Sequence, residues 1–168
     1  MRNPVSILVV VTLLLAPRAA WAAQNAPANV AAPLTLKVLS LENKTAGAGD
    51  ITIYVLGGGE IVSELQKGVG SAVGGSKLAT VERGFGLPAS APTVLFIADP
   101  AMVADGTAYS RSNKLLSATN QVDLIAKGVT LGLGLDGGSP TIMLNLTASV
   151  AEGLDWEPAI MNIAKTVQ

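Results

Sequence analysis

Apolar and polar positions along this chain alternate between two kinds of pattern. Short, almost wholly apolar runs occur at Ile51 to Leu56 (Ile-Thr-Ile-Tyr-Val-Leu), Thr93 to Ala98 (Thr-Val-Leu-Phe-Ile-Ala) and Leu115 to Thr119. Runs of that length, rich in β-branched residues, suit strands covered on both faces, as in a parallel sheet. Between them the period changes. From Glu60 to Val73, residues Ile61, Leu65, Val69 and Val73 recur every four positions and predict one stripe of an amphipathic helix. Gly74-Gly75 reads as its stop, and Lys77 to Glu82 as the next short strand. Asp99-Pro100 has the form of a helix start, an aspartate N-cap followed by proline at the first helical position. The helix it opens is expected to reach about Ser110 and to fray at Asp105-Gly106.

These segments make two strand–helix–strand units with similar sequences. The run beginning at Thr52 aligns with that beginning at Val94, with one residue of slack at the turn. Alternating strands and helices predict an α/β fold: three layers, a mostly parallel sheet from two βαβ units, and helices on its faces. Two further apolar runs, Val129 to Leu135 and Thr141 to Asn145, flank Asp136-Gly137-Gly138-Ser139 and predict a hairpin. Asp123 to Lys127 reads as a short helix or turn before Gly128. After the hairpin, Pro140 to Val167 reads as a strand, a helical turn, a stop at Gly153 and a closing helix. That helix is expected to be capped by Asp155 and opened by Trp156, with Ile160, Ile163 and Val167 on one face. Leu34 to Leu41 fits a strand by one spacing and a helix by another, so its pattern does not decide. Gln24 to Pro33, small and proline-bearing, predicts a flexible leader over 23–33 ahead of an α/β domain over 34–168.

The first residues are not expected to belong to the fold. Arg2 supplies a positive start, Val5 to Ala16 an apolar run, and Ala20-Trp21-Ala22 a small-x-small cleavage site. This is the pattern of a secretory signal peptide over 1–22, cut after Ala22. The run is shorter than the ~20 residues a membrane-spanning helix needs. Export as a soluble protein is the expectation. Without Arg2 and Arg18 the chain keeps nine basic residues against its 12 acidic ones, so it carries no electrostatic footprint for nucleic acid.

Composition narrows the chemistry further. The chain has no cysteine and no histidine. That removes thiol nucleophiles, Ser-His and Cys-His pairs and the usual zinc sites. Neither a cofactor nor a metal is expected. Gly57-Gly58-Gly59, between a strand and a helix, is placed where glycines can cradle phosphate. A dinucleotide fingerprint starting at Gly57 would need glycine at 62, which is Val62, and Glu60 would repel phosphate. A tight turn is the plainer reading. Asp99, Asp105, Asp136, Asp155 and Glu157 are the carboxylates off obvious surface faces; acid–base work would require them to converge from separate loops. Asn43-Lys44-Thr45 and Asn145-Leu146-Thr147 match the glycosylation pattern, but Asn145, at a strand end before a helix, is expected to bond backbone. In an open α/β sheet, loops at Gly57, Gly58, Gly59, Asp99 and Asn120 gather at the strand carboxyl ends, where ligands bind. Trp156 reads as an anchor for the last helix or as an interface residue.

The order of these elements, and the block Met143-Leu144-Asn145-Leu146, Ala148 to Gly153 and Ile160 to Lys165, resembles the YfiR-like family of bacterial periplasmic proteins. Tyr54-Val55-Leu56-Gly57, Val94 to Ile97 and Gly128 fall in the matching places, and the resemblance covers about residues 34 to 168. The family's early phenylalanines, its Trp-Pro and the cysteines of some members are missing here. The resemblance implies a non-enzymatic regulator that binds the periplasmic part of an inner-membrane sensor or diguanylate cyclase, and it leaves a homodimer open. The alternative is a small-molecule binding domain with its site at the strand carboxyl ends.

Overall fold

The computed structural model of the protein describes residues 23–167, so the expected signal peptide lies outside the described residues. The sheet is built around Val94-Leu95-Phe96-Ile97, all four fully buried. Side chains alternate across a strand, and here both faces are covered. Val94 and Phe96 join one apolar cluster, Leu95 and Ile97 another. That double burial is why an unbroken apolar run, rather than an alternating one, codes for this strand.

In chain order the strands are β1 (Gln24–Asn25), β2 (Asp50–Leu56), β3 (Ala72–Val73), β4 (Ser76–Gly84), β5 (Val94–Ile97), β6 (Leu116–Thr119), β7 (Leu131–Asp136), β8 (Ser139–Asn145) and β9 (Ala164–Val167). The helices are α1 (Ala28–Leu39), α2 (Asn43–Ala46), α3 (Glu60–Gln66), α4 (Val103–Asn113), α5 (Leu146–Glu152) and α6 (Ile160–Ile163). Among the described residues the strands form one sheet in the order β3-β4-β2-β5-β6-β7-β8-β9, with β1 added antiparallel to the end of β7. The pairs β4–β2, β2–β5, β5–β6 and β6–β7 are parallel. The predicted α/β architecture is therefore present: a mostly parallel sheet, helices on both sides, and a hairpin and short helix near the C-terminus. The hairpin β7–β8 turns through Gly137 and Gly138, at φ of 57° and 84°. Positive φ at both central residues is what a two-residue turn between twisted strands needs.

Several expectations change in detail, among them the helix expected to fray at Asp105-Gly106, which runs unbroken to Asn113. The helix predicted over 60–73 stops at Gln66, and Val73 lies in β3. Gly68 and Gly70 break the period, so Val69 is left exposed and Gly74-Gly75 turns a small hairpin. Leu34 to Leu41 is settled as helix up to Leu39. The expected flexible leader is instead part of the fold: β1 pairs with β7, and α1 starts at Ala28. Ala26, Ala28, Ala31 and Ala32 are buried, and this packing outweighs the cost of Pro33 inside the helix. Finally, the closing helix is one turn, Ile160–Ile163, followed by β9, which runs parallel to β8. Asp155 does not cap it; the N-cap position is Ala159, and Asp155 instead bonds the Asn43 side chain.

Candidate functional site

The parallel core has one place where chain direction across the sheet reverses. From β2 the chain moves outward to β4; from the adjacent β5 it moves the other way, to β6. Helix α3 packs on the face that carries α1, while α4 packs on the opposite face. The helices therefore diverge from neighbouring strand ends and leave a crevice, the position at which open α/β sheets bind ligands. A cleft of about 310 Å³ opens there, bounded by Ala28, Gly58, Glu60, Ala98, Asn120 and Gln121.

Backbone contacts fix its floor. The Leu56 carbonyl accepts from the Ala98 and Asp99 N–H groups at 2.9 and 3.1 Å, and the Gly57 N–H donates to the Gly84 carbonyl at 2.8 Å. Asp99 caps the short 3₁₀ turn Pro100–Met102 by accepting from the Ala101 N–H at 2.9 Å, as expected. Gly57 is held at φ of 92°, and a β-carbon on it would stand 2.8 Å from the Asp99 Cβ. Its glycine is thus explained by the close approach of two turns. A β-carbon at Gly58 would stand 3.2 Å from an Arg83 guanidinium nitrogen. Gly59, also at positive φ, forms the N-cap of α3. The far wall is the N-terminal segment: Asn120 donates to the Ala26 carbonyl at 3.0 Å, and the Val122 N–H to Asn25 Oδ1 at 2.9 Å. Gln121 donates to the Ala98 carbonyl.

Gly57 to Gly59, Asp99 and Asn120 thus sit together around the carboxyl ends of the strands. The bounding groups are side-chain amides, backbone and the Glu60 carboxylate. This lining can hydrogen-bond a small polar or cationic molecule and disfavours a phosphate. Trp156 is not there. It lies at the other end of the sheet, where its Nε1 donates to Ser149 Oγ at 2.8 Å and its backbone bridges to Glu42. Asp99, Asp136 and Asp155 do not converge either. Asp99 caps a turn, Asp136 pairs with Lys165, and Asp155 lies with Trp156 at the opposite end.

Two buried carboxylates at that opposite end escape a reading of the sequence. Glu42 accepts from the Thr45 N–H at 2.7 Å and the Asp155 N–H at 2.8 Å, tying α2 to the segment after α5. Glu152 accepts from the Ser117 N–H, the Ser117 hydroxyl and the Thr130 hydroxyl, tying α5 to β6 and to the start of β7. Burial pushes its carboxyl above the ordinary value, against the lowering effect of those hydrogen bonds and of the Arg111 charge. The one sequence signal was the run of small residues Ala148-Ser149, which with Glu152 forms the buried face of α5 while Val150 points outward. Asn145 caps α5 by accepting from the Ala148 N–H and donates to the Ile125 carbonyl, so it does bond backbone as expected.

The YfiR/HmsC-like family model matches residues 38–165. The chain belongs to the YfiR/HmsC-like family. The described residues include no helix long and apolar enough to cross a membrane. Among solved structures, the fold is similar to that of a conserved domain protein from Vibrio cholerae O1 biovar El Tor strain N16961, with a TM-score of 0.55 and 13% identity. That match covers 86% of this chain and 61% of the other, so the YfiR/HmsC-like chain spans less than two thirds of that protein. No curated protein matches it.

Proposed function

We propose that this protein is a non-enzymatic periplasmic regulator. It is exported by cleavage after Ala22 and binds the periplasmic part of an inner-membrane signalling protein, such as a diguanylate cyclase, to control it. The observation that carries this reading is the family match across residues 38–165, which includes the whole parallel core. The scatter of Asp99, Asp136 and Asp155 supports a binding role over acid–base catalysis, which needs paired groups in one cleft. The test joins binding to output. The mature chain should bind the purified periplasmic region of a membrane cyclase from the same organism. Its deletion should raise cyclic diguanylate. Unchanged dinucleotide levels, with no binding to any such region, would remove the reading.

The cleft at the β2–β5 crossover favours a second reading, a small polar ligand held between Gly58, Glu60, Asn120 and Gln121. Asn120→Ala would then abolish ligand-dependent thermal stabilisation in a metabolite screen. A screen that stabilises neither the wild type nor the variant argues against a ligand at this cleft.

A further inference from the structure

The two ends of the sheet are finished differently. At one end β9 is four residues long and carries Lys165 within it, a common way of blunting an exposed edge. At the other end, β4 is nine residues long, and β3 pairs only with its first two, Ser76 and Lys77. The turn before β3 closes the edge a little further: the Gly70 N–H bonds the Leu78 carbonyl at 2.8 Å, and the Leu78 N–H bonds the Ser71 carbonyl at 3.0 Å. From Thr80 to Gly84 no strand lies outside β4 among the described residues. Gly84 turns its carbonyl inward to the Gly57 N–H. Backbone groups alternate sides along a strand, so those of Arg83, and of Val81 before it, face outward.

Exposed apolar side chains stand at both ends of this open stretch. Phe85, directly after β4, is 73% exposed, with the Arg83 guanidinium 5.2 Å from its ring centroid; Leu87 follows at 44%. Val69, beside the Gly70 contact to Leu78, is 47% exposed. An open row of N–H and C=O groups takes one kind of occupant well, an extended chain that completes the ladder. Glu82 would select a positive charge on it. A second copy of this chain fits less well: antiparallel pairing centred on Glu82 sets two carboxylates directly opposite each other, which is unfavourable.

We propose that the outer edge of β4, from Thr80 to Gly84, docks an extended segment of the partner protein as an additional strand, with Phe85, Leu87 and Val69 as its apolar contacts. This rests on the reading of the chain as a regulator that binds a membrane signalling protein, and it names the surface used.

The test uses the mature chain and the periplasmic region of the membrane cyclase that it binds. Arg83→Pro removes one outward N–H, a change that an edge strand tolerates when that N–H faces solvent. Arg83→Ala removes only the guanidinium. Arg83→Pro is expected to bind about tenfold or more weakly while Arg83→Ala stays within about threefold of wild type. The Val81 and Arg83 amides should exchange more slowly in the complex. If Arg83→Pro does not fold, Phe85→Asp in the exposed loop carries the same expectation of weakened binding. Equal binding by wild type and Arg83→Pro, or protection confined to β9 or to the cleft, overturns the proposal and leaves the regulator reading standing. Slowed exchange of these amides that rises with chain concentration alone identifies a second copy as the occupant, which also overturns it. Wild-type chain that binds no such region removes the regulator reading, and this surface with it.

Discussion

At Gly57 two demands meet in one residue. Its φ of 92° suits glycine, and a β-carbon would stand 2.8 Å from the Asp99 Cβ. Gly59 has a similar φ of 87°, yet a β-carbon there would meet nothing within 4 Å. Gly57→Ala should therefore cost more than the ~1–3 kcal/mol of a strained backbone alone, and Gly59→Ala should stay within that range. Urea midpoints of the two variants would separate close approach from backbone preference. Trp156 poses a different question. It is half-buried, and its indole N–H is bonded to Ser149. Trp156→Ala should lose about 2–3 kcal/mol, less than the ~3–5 of a fully buried tryptophan. Unchanged stability with lost partner binding would instead place this residue in an interface.

At the scale of elements, α5 is fastened more by polar groups than by an apolar stripe. Glu152 reaches three donors on β6 and before β7, and lysines finish the C-terminal end of the helix. Lys114 donates to the Ala151 carbonyl at 2.8 Å and Lys44 to that of Gly153. The Glu152 carboxyl titrates above its ordinary 4.5 because burial disfavours its charged form. A carboxyl with a raised folded pKa takes up its proton first in the folded state. Its contribution to stability therefore grows as pH falls through the folded value and is complete below the unfolded one. Glu152→Gln cannot titrate. Relative to that variant, the wild type should gain stability as pH falls from neutral to below the ordinary value of 4.5, measured by urea unfolding across that range. A constant difference would show that Glu152 keeps one protonation state throughout.

At the scale of the whole molecule, the N-terminal segment closes the architecture. Strand β1 extends the sheet beside β7, α1 packs against α3, and Asn25 and Ala26 hold the loop at Asn120 to Val122. A chain beginning at Leu34 would lose β1, the first half of α1 and the contacts to Asn120 and Val122, together with four buried alanines. It should unfold at least ~3 kcal/mol more easily, since each well-packed group lost from a core costs on that order. It should also lose the far wall of the crossover cleft. A truncated chain that melts like the full one would return these residues to the status of a loose leader.

The sequence alone determined the features set by local pattern. The strand at Ile51 to Leu56, the doubly buried strand Val94 to Ile97, the Asp99-Pro100 start, the Gly-Gly hairpin and the backbone bond of Asn145 each follow from a few neighbouring residues, because period, capping and turn chemistry act over one or two turns of chain. The glycine and amide loops at the strand carboxyl ends were legible for the same reason, once a parallel sheet was inferred. Only the tertiary structure decided what depends on distant partners. Ala26 to Ala32 looks like linker until the surface it packs on is known. Ile163 looks like core until the chain after it pairs with β8 as β9. Glu42 and Glu152 look like surface residues until donors from other elements surround them. Burial is a property of what arrives from elsewhere in the chain, and no local period records it.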